Sequence, residues 1–237
     1  MTNSYPKQSF TPKRPKRAFN LSRILAQANE KTQDNFVTWS LAASVFLLVV
    51  AIVVLTLSRL ISIEALANLS FSDGLVISYL CAVLLAPFTA GIYQMGIRCA
   101  QNQSIATLDI VGCLPSILGL ALVQLIVIWL VSIGLLLLVL PGLYLLIATA
   151  FAMPLVAERN CGIFASILLS ITTVNRYLGQ FVLLFMMFFA LSMLAFATFG
   201  VVLLWVVPFY YCVLGLIYVE LFGYGEGVST SEPMSRL

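Results

Sequence analysis

The chain has 237 residues, of which 62% are hydrophobic and 9% charged, with a formal net charge of +3 and a mean hydropathy of +1.07. Soluble domains carry about 25% charged residues, so this composition excludes a water-soluble globular domain, and several spans of about 20 residues leave too little chain to enclose a separate aqueous core. Histidine is absent, which removes the commonest metal ligand and the commonest general base near neutral pH and argues against hydrolytic or metal-assisted catalysis.

Residues 1–17, MTNSYPKQSFTPKRPKR, combine proline, polar side chains and basic charge with little to bury, the pattern of a disordered cytoplasmic tail. Lys13, Arg14, Lys16 and Arg17, with Arg23 beyond them, are the expected contacts to anionic lipid, each contributing about 1 kcal/mol when close to the surface. The polar lead before the first span argues against a cleaved signal peptide. Next, Phe19, Leu21, Ile24, Leu25 and Ala28 recur at helical spacing opposite Asn20, Arg23, Gln27 and Glu30, predicting an amphipathic helix at the cytoplasmic interface.

Uncharged runs Phe36 to Ser58 and Gly74 to Ile97 each suffice for one crossing. Before the third span Ile105, Leu108 and Val111 follow the polar QNQS and suggest a shorter interfacial helix. No charged residue occurs from Ile110 to Ala157, or from Tyr177 to Val219. At about 1.5 Å per residue each of these lengths is roughly 65 to 70 Å of helix, twice a bilayer core of about 30 Å, so each predicts two spans folded back on one another. The first divides into Leu114 to about Leu138 and Pro141 to Ala157, with Pro141 read as a first helical position. The second divides at Thr198 and Gly200 into Tyr177 to Ala197 and Val201 to Leu221. Between them Ile163, Phe164, Ile167, Leu168, Ile171 and Val174 form one stripe opposite Ser166, Ser170, Thr173 and Arg176, predicting a further in-plane interfacial helix.

These elements give an all-α polytopic membrane protein: a tail at 1–17, a six-span domain at 18–222 with interfacial amphipathic helices, and a flexible end at 223–237. The layout parses as three units, each an in-plane helix followed by a transmembrane hairpin. Lys7, Lys13, Arg14, Lys16, Arg17, Arg23 and Lys31 precede the first span, and Arg98, Arg159, Arg176 and Arg236 follow even-numbered spans, with Arg59 alone on the other side. The positive-inside bias then puts both termini in the cytoplasm.

The stretch GLLLLVLPGLYLLIATAFAMPLVAERNCGIFASILLS from Gly134 to Ser170 resembles the signature of YciC-like bacterial inner-membrane proteins. It is similar also to the membrane domain attached to some glycerophosphodiester phosphodiesterases. The matching residues are Pro141, Gly142, Tyr144, Pro154 and Glu158, together with Leu143 and Leu155. The resemblance implies a multi-pass protein of the bacterial cytoplasmic membrane with no catalytic domain of its own. The tryptophan and additional arginines usual in the amphipathic helix of that group are missing here.

No ionisable residue falls near a predicted midplane, so proton- and charge-coupled transport lack their usual groups. Gln94, Gln124 and Thr149 are the polar side chains expected to line any cavity, or else to bond a neighbouring helix. The five cysteines, Cys81, Cys99, Cys113, Cys161 and Cys212, are scattered without a CxxC and read as small apolar packing residues. No catalytic centre, metal or cofactor is expected. The reading is a non-enzymatic membrane protein that engages lipids, a membrane-protein partner or a second copy of itself, and not nucleic acid. The alternative is a transporter or channel for a neutral or lipid-like solute.

Overall fold

The computed structural model describes residues 20–60, 71–112, 117–159, 162–198, 200 and 202–223. Its elements are α1 (Leu21–Asp34), α2 (Phe36–Leu60), α3 (Phe71–Ala100), a 3-10 turn (Thr107–Val111), α4 (Ile117–Leu137), α5 (Val139–Ala148), α6 (Ala152–Arg159), α7 (Ile163–Arg176), α8 (Leu178–Ala197) and α9 (Leu203–Phe222). Six stretches are long and apolar enough to cross a membrane: Phe36–Leu57, Val76–Ala100, Ile117–Leu137, Val139–Glu158, Leu178–Ala195 and Leu203–Phe222. With 18 to 25 residues each, they extend about 27 to 38 Å, which matches the hydrocarbon thickness. The protein is all-α and polytopic. Both expected tails, and with them Lys13, Arg14, Lys16 and Arg17, lie outside the described residues.

Helices persist here because hydrocarbon offers no partner to a free backbone group. Hydroxyl side chains within the spans obey the same constraint by folding back on their own helix. Ser44 Oγ donates to Ser40 O at 2.8 Å, Thr56 Oγ1 to Ile52 O at 2.7 Å and Ser192 Oγ to Phe188 O at 2.9 Å. The lipid-facing surface is aliphatic, including Leu41, Leu48, Ile52 and Leu55 of α2 and Leu136 to Leu140 at the α4–α5 turn. That turn is a single extended residue, Leu138, and Pro141 occupies the third position of α5, not the first as read from sequence.

The core centres on α9, whose inner face packs on α3 along with residues from α1, α5, α7 and α8. Tyr93 meets Tyr211, and Gly96 meets Gly215, so α3 and α9 run in the same direction. At Gly96 a Cβ would lie 2.2 Å from the carbonyl oxygen of Tyr211, and at Gly215 it would lie 2.2 Å from that of Gly96. Only glycine permits this backbone-to-backbone crossing, which gives dispersion contact where no hydrophobic effect drives helices together. A second cluster joins Ala86 and Ala90 of α3 to Leu120 and Val123 of α4 and to Ala152, Met153 and Val156 of α6.

Three elements read from sequence as in-plane helices differ from that reading, and α7 lies lengthwise along the fourth span. The stripe of α1 is present, but Ile24 and Ala28 are buried against the α9 core, with Leu21 and Leu25 beside them. It is covered by protein. Residues 107–111 form a 3-10 turn; of the expected stripe Ile105 packs against the core but Leu108 is 80% exposed, and Ile110, outside that stripe, is buried. In α7 the buried residues are Ser166, Ile167, Ser170 and Val174, while Phe164 and Leu168 are 78% and 64% exposed. Ser166 and Ser170 thus point inward together with Ile167 and Val174 of the stripe, while Phe164 and Leu168 face outward, where lipid accepts them.

A side chain at the α3–α9 crossing must push the backbones apart, whereas Gly179 has nothing within 4 Å of its Cβ position. Gly96→Leu or Gly215→Leu should cost at least about 2 kcal/mol by overpacking. Gly179→Leu should be nearly neutral, and denaturant titration in mixed micelles measures the difference.

Candidate functional site at the broken fourth span

The fourth span is two helices end to end. After Ala148 the α-helical pattern lapses through Thr149–Phe151 and resumes at Ala152. Pro154 at the third position of α6 explains part of this, because proline has no N–H to donate to the carbonyl of Ala150 four residues back. The freed groups are met from elsewhere. Tyr93 Oη donates to Ala150 O at 3.2 Å. Ser170 Oγ donates to Ala148 O at 2.7 Å and accepts the N–H of Phe151 at 3.2 Å, so one buried hydroxyl closes both sides of the gap. Thr149 Oγ1 donates to Leu145 O at 2.8 Å within its own helix.

The helix that carries Ser170 lies antiparallel to the broken span. Ile167 clusters with Ala152, Met153 and Val156, Ser170 bonds Ala148 and Phe151, and the hydroxyl of Tyr144 donates to Asn175 Oδ1 at 2.7 Å. The inward serines of α7 are thus the polar side chains that complete a neighbouring helix.

Beside the break is a cavity of about 570 Å³ walled by α3, α4, α5, α6, α8 and α9, with Phe46 of α2. Its lining is mainly aliphatic and aromatic, including Phe181, Phe185, Phe188 and Phe189 of α8. Among the described residues no charged side chain reaches it. Its polar groups are few: the Gln124 amide, the hydroxyls of Thr89, Thr149 and Ser192, and a tyrosine group of Tyr93, Tyr210 and Tyr211. Those three rings pack edge to face, Tyr93 on Tyr211 at 4.9 Å and Tyr210 on Tyr211 at 5.2 Å, and Phe188 meets Tyr210 at 4.8 Å. The hydroxyls of Thr89, Thr149 and Ser192 each bond a carbonyl of their own helix. Gln124 is left as an amide without a hydrogen-bond partner among the described residues.

Gln124 and Thr149, both singled out from sequence, therefore stand on this wall. Gln94 does not line it, since successive helical residues diverge by about 100° and its neighbour Tyr93 takes the cavity side. Sequence reasoning missed Tyr93, Tyr210, Tyr211 and Ser170. Of the motif residues, Pro141 and Gly142 shape the tight α4–α5 turn, where a Cβ at Gly142 would lie 2.6 Å from the backbone nitrogen of Leu135. Pro154 helps open the break. Glu158 lines a separate polar cleft with Arg98, Gln101, Gln103 and Ser104, and Arg98 pairs with Asp109 at 2.8 Å. Arg23 is exposed on α1. No protein-family model, curated protein or solved structure matches the chain.

Removing the Ser170 hydroxyl leaves a buried carbonyl and a buried N–H open together, and each such group costs about 1 to 3 kcal/mol. Ser170→Ala should lower unfolding stability by about 2 kcal/mol or more. Thr172→Ala, which removes an exposed hydroxyl bonded within its own helix, should change it by less than about 0.5 kcal/mol.

Proposed function

We propose that this integral membrane protein is a non-enzymatic protein of a bacterial cytoplasmic membrane, kin to the YciC-like group, that takes a neutral lipid-like solute into the cavity beside the broken span. The observation that carries this reading is a chamber of about 570 Å³ with hydrocarbon and aromatic walls, an amide and tyrosine hydroxyls at its rim of polar groups, and no charge reaching it from the described residues. Ligand sites have this character: a volume of about 300 to 1,000 Å³, mostly apolar, with a small number of polar groups that orient the ligand. A charged solute would have to leave its hydration shell without a counter-charge, which is prohibitive at this depth. A fatty alcohol or diacylglycerol matches, with its hydroxyl at Gln124 and its chain among the phenylalanines.

In this reading the cavity beside the break, and not the amphipathic α1, takes up the lipid, because the apolar side of α1 is covered by α9. The basic segment Lys13, Arg14, Lys16, Arg17 and Arg23 retains its proposed role of holding the cytoplasmic side against anionic headgroups. Both termini lie in the cytoplasm in this reading, on the strength of the distribution of Lys and Arg and of the even number of spans.

The test is binding of a pyrene-labelled diacylglycerol to the purified protein in mild detergent. Gln124→Leu should weaken binding by up to about tenfold, the value of one good hydrogen bond, and Ser192→Trp should weaken it further by occupying part of the chamber. Equal binding by the wild type and both variants would exclude the cavity as the site.

A further inference from the structure

A second constellation lies away from the chamber, at the end of the bundle where the second span, Val76–Ala100, and the fourth, Val139–Glu158, both finish. There Arg98, Gln101, Gln103, Ser104 and Glu158 enclose a cleft of about 520 Å³. Every side chain on its wall is polar, one of them cationic and one anionic. The wall is also built in advance of any ligand. The helix α3 ends in a Schellman turn: Asn102 adopts a left-handed φ of 58°, its N–H bonds Cys99 O at 3.1 Å, and the N–H of Gln103 bonds Arg98 O at 3.0 Å. Asparagine is one of the few residues that takes this conformation readily. Lys31 of α1 braces the turn, its Nζ donating to Cys99 O at 3.1 Å and to Asn102 Oδ1. Farther along, Asp109 holds Arg98 Nη1 at 2.8 Å through one carboxylate oxygen and accepts the N–H of Ala106 at 2.9 Å through the other. The chain is thereby fixed on both sides of Gln103 and Ser104.

The charges on this wall select the ligand. A guanidinium carries five N–H donors, so Arg98 can hold Asp109 through Nη1 and still serve a second anion. The amides of Gln101 and Gln103 and the hydroxyl of Ser104 add neutral donors beside it. Glu158 places a carboxylate on the same wall. A simple anion would meet that carboxylate and a simple cation would meet Arg98, whereas a headgroup carrying both phosphate and ammonium finds a partner for each. Depth points the same way: Arg98 lies in the last turn of α3 and Glu158 closes the fourth span, the level at which hydrocarbon gives way to headgroups. We propose that this cleft binds the phosphoethanolamine headgroup of a membrane phospholipid, its phosphate at Arg98, Gln103 and Ser104 and its ammonium at Glu158.

The ammonium is a primary one. Its three N–H groups can donate to a carboxylate, which a trimethylammonium cannot do, and the cleft has no aromatic ring on which a quaternary ammonium would rest. The acyl chains of such a lipid run back along the apolar surface of the spans, so the protein holds the headgroup and the bilayer holds the rest. This site is independent of the chamber beside the broken span, which takes an uncharged solute, and either can fail without the other.

The experiment reconstitutes the full-length protein in nanodiscs holding equal parts of phosphatidylethanolamine, phosphatidylcholine and phosphatidylglycerol, and counts the lipids it retains by native mass spectrometry. The wild type should retain phosphatidylethanolamine about fivefold over each of the others, the value of one exposed charge pair. Glu158→Gln should bring phosphatidylethanolamine and phosphatidylcholine to parity, and Arg98→Gln should lower retention of all three. Ser78→Ala, which removes an exposed hydroxyl bonded to Gly74 O of its own helix, should keep the wild-type pattern. Should Arg98→Gln fail to fold, the Glu158→Gln result and the wild-type preference decide. An excess of soluble glycerophosphoethanolamine should leave the retained lipid in place; its displacement would assign the cleft to a soluble phosphoester and overturn the phospholipid as ligand. Equal retention of the three lipids by the wild type, or an unchanged preference in Glu158→Gln, would overturn the proposal outright.

Discussion

Hydrocarbon supplies no hydrogen-bond partner, so every backbone group released by a helix break must be met by another part of the protein. The broken fourth span makes this constraint visible. Ala148, Ala150 and Phe151 would be three open groups in a membrane interior, and Ser170 and Tyr93 meet them. Those bonds fix where α7 lies along the broken span and which side of α3 faces it. The cavity follows, because Tyr93, Thr149 and Ala150 are at once partners in the repair and part of the wall. The break and the chamber are therefore one structural feature seen from two sides.

The surroundings also decide what an amphipathic pattern means. In water an apolar stripe marks the buried side of a helix, whereas lipid accepts bulky apolar side chains and leaves small residues for close contact within the bundle. In α7 Phe164 and Leu168 face outward, while Ser166 and Ser170 are buried together with Ile167 and Val174 of the stripe. The periodicity of α7 was legible in the sequence, but which part of it meets protein depends on what surrounds the helix, which a periodicity does not encode. In α1 Ile24 and Ala28 of the stripe face α9 while Arg23 and Glu30 are exposed.

Six spans were legible because charge-free length is a direct consequence of membrane thickness. The turn near Thr198 and Gly200 was legible too, as were Gln124 and Thr149 on helix faces that turn inward. Other features depend on chain crossings that no local pattern reports. Tyr93 meets Ala150 and Tyr211 across separations set by how α3 packs on its neighbours. Gln94 illustrates the limit at a single residue: it is polar, within a span and adjacent to Tyr93, yet helical geometry directs its neighbour to the cavity instead.

The α3–α9 crossing joins these pieces into one mechanical unit. Gly96 and Gly215 bring the backbones into contact, and one turn away Tyr93 meets Tyr211. Tyr211 therefore gives its carbonyl to the crossing and its ring to the cavity wall. The close fit of the two glycines leaves little room for α9 to slide against α3, so the packing that stabilises the bundle also fixes where Tyr210, Tyr211 and Leu214 stand on that wall.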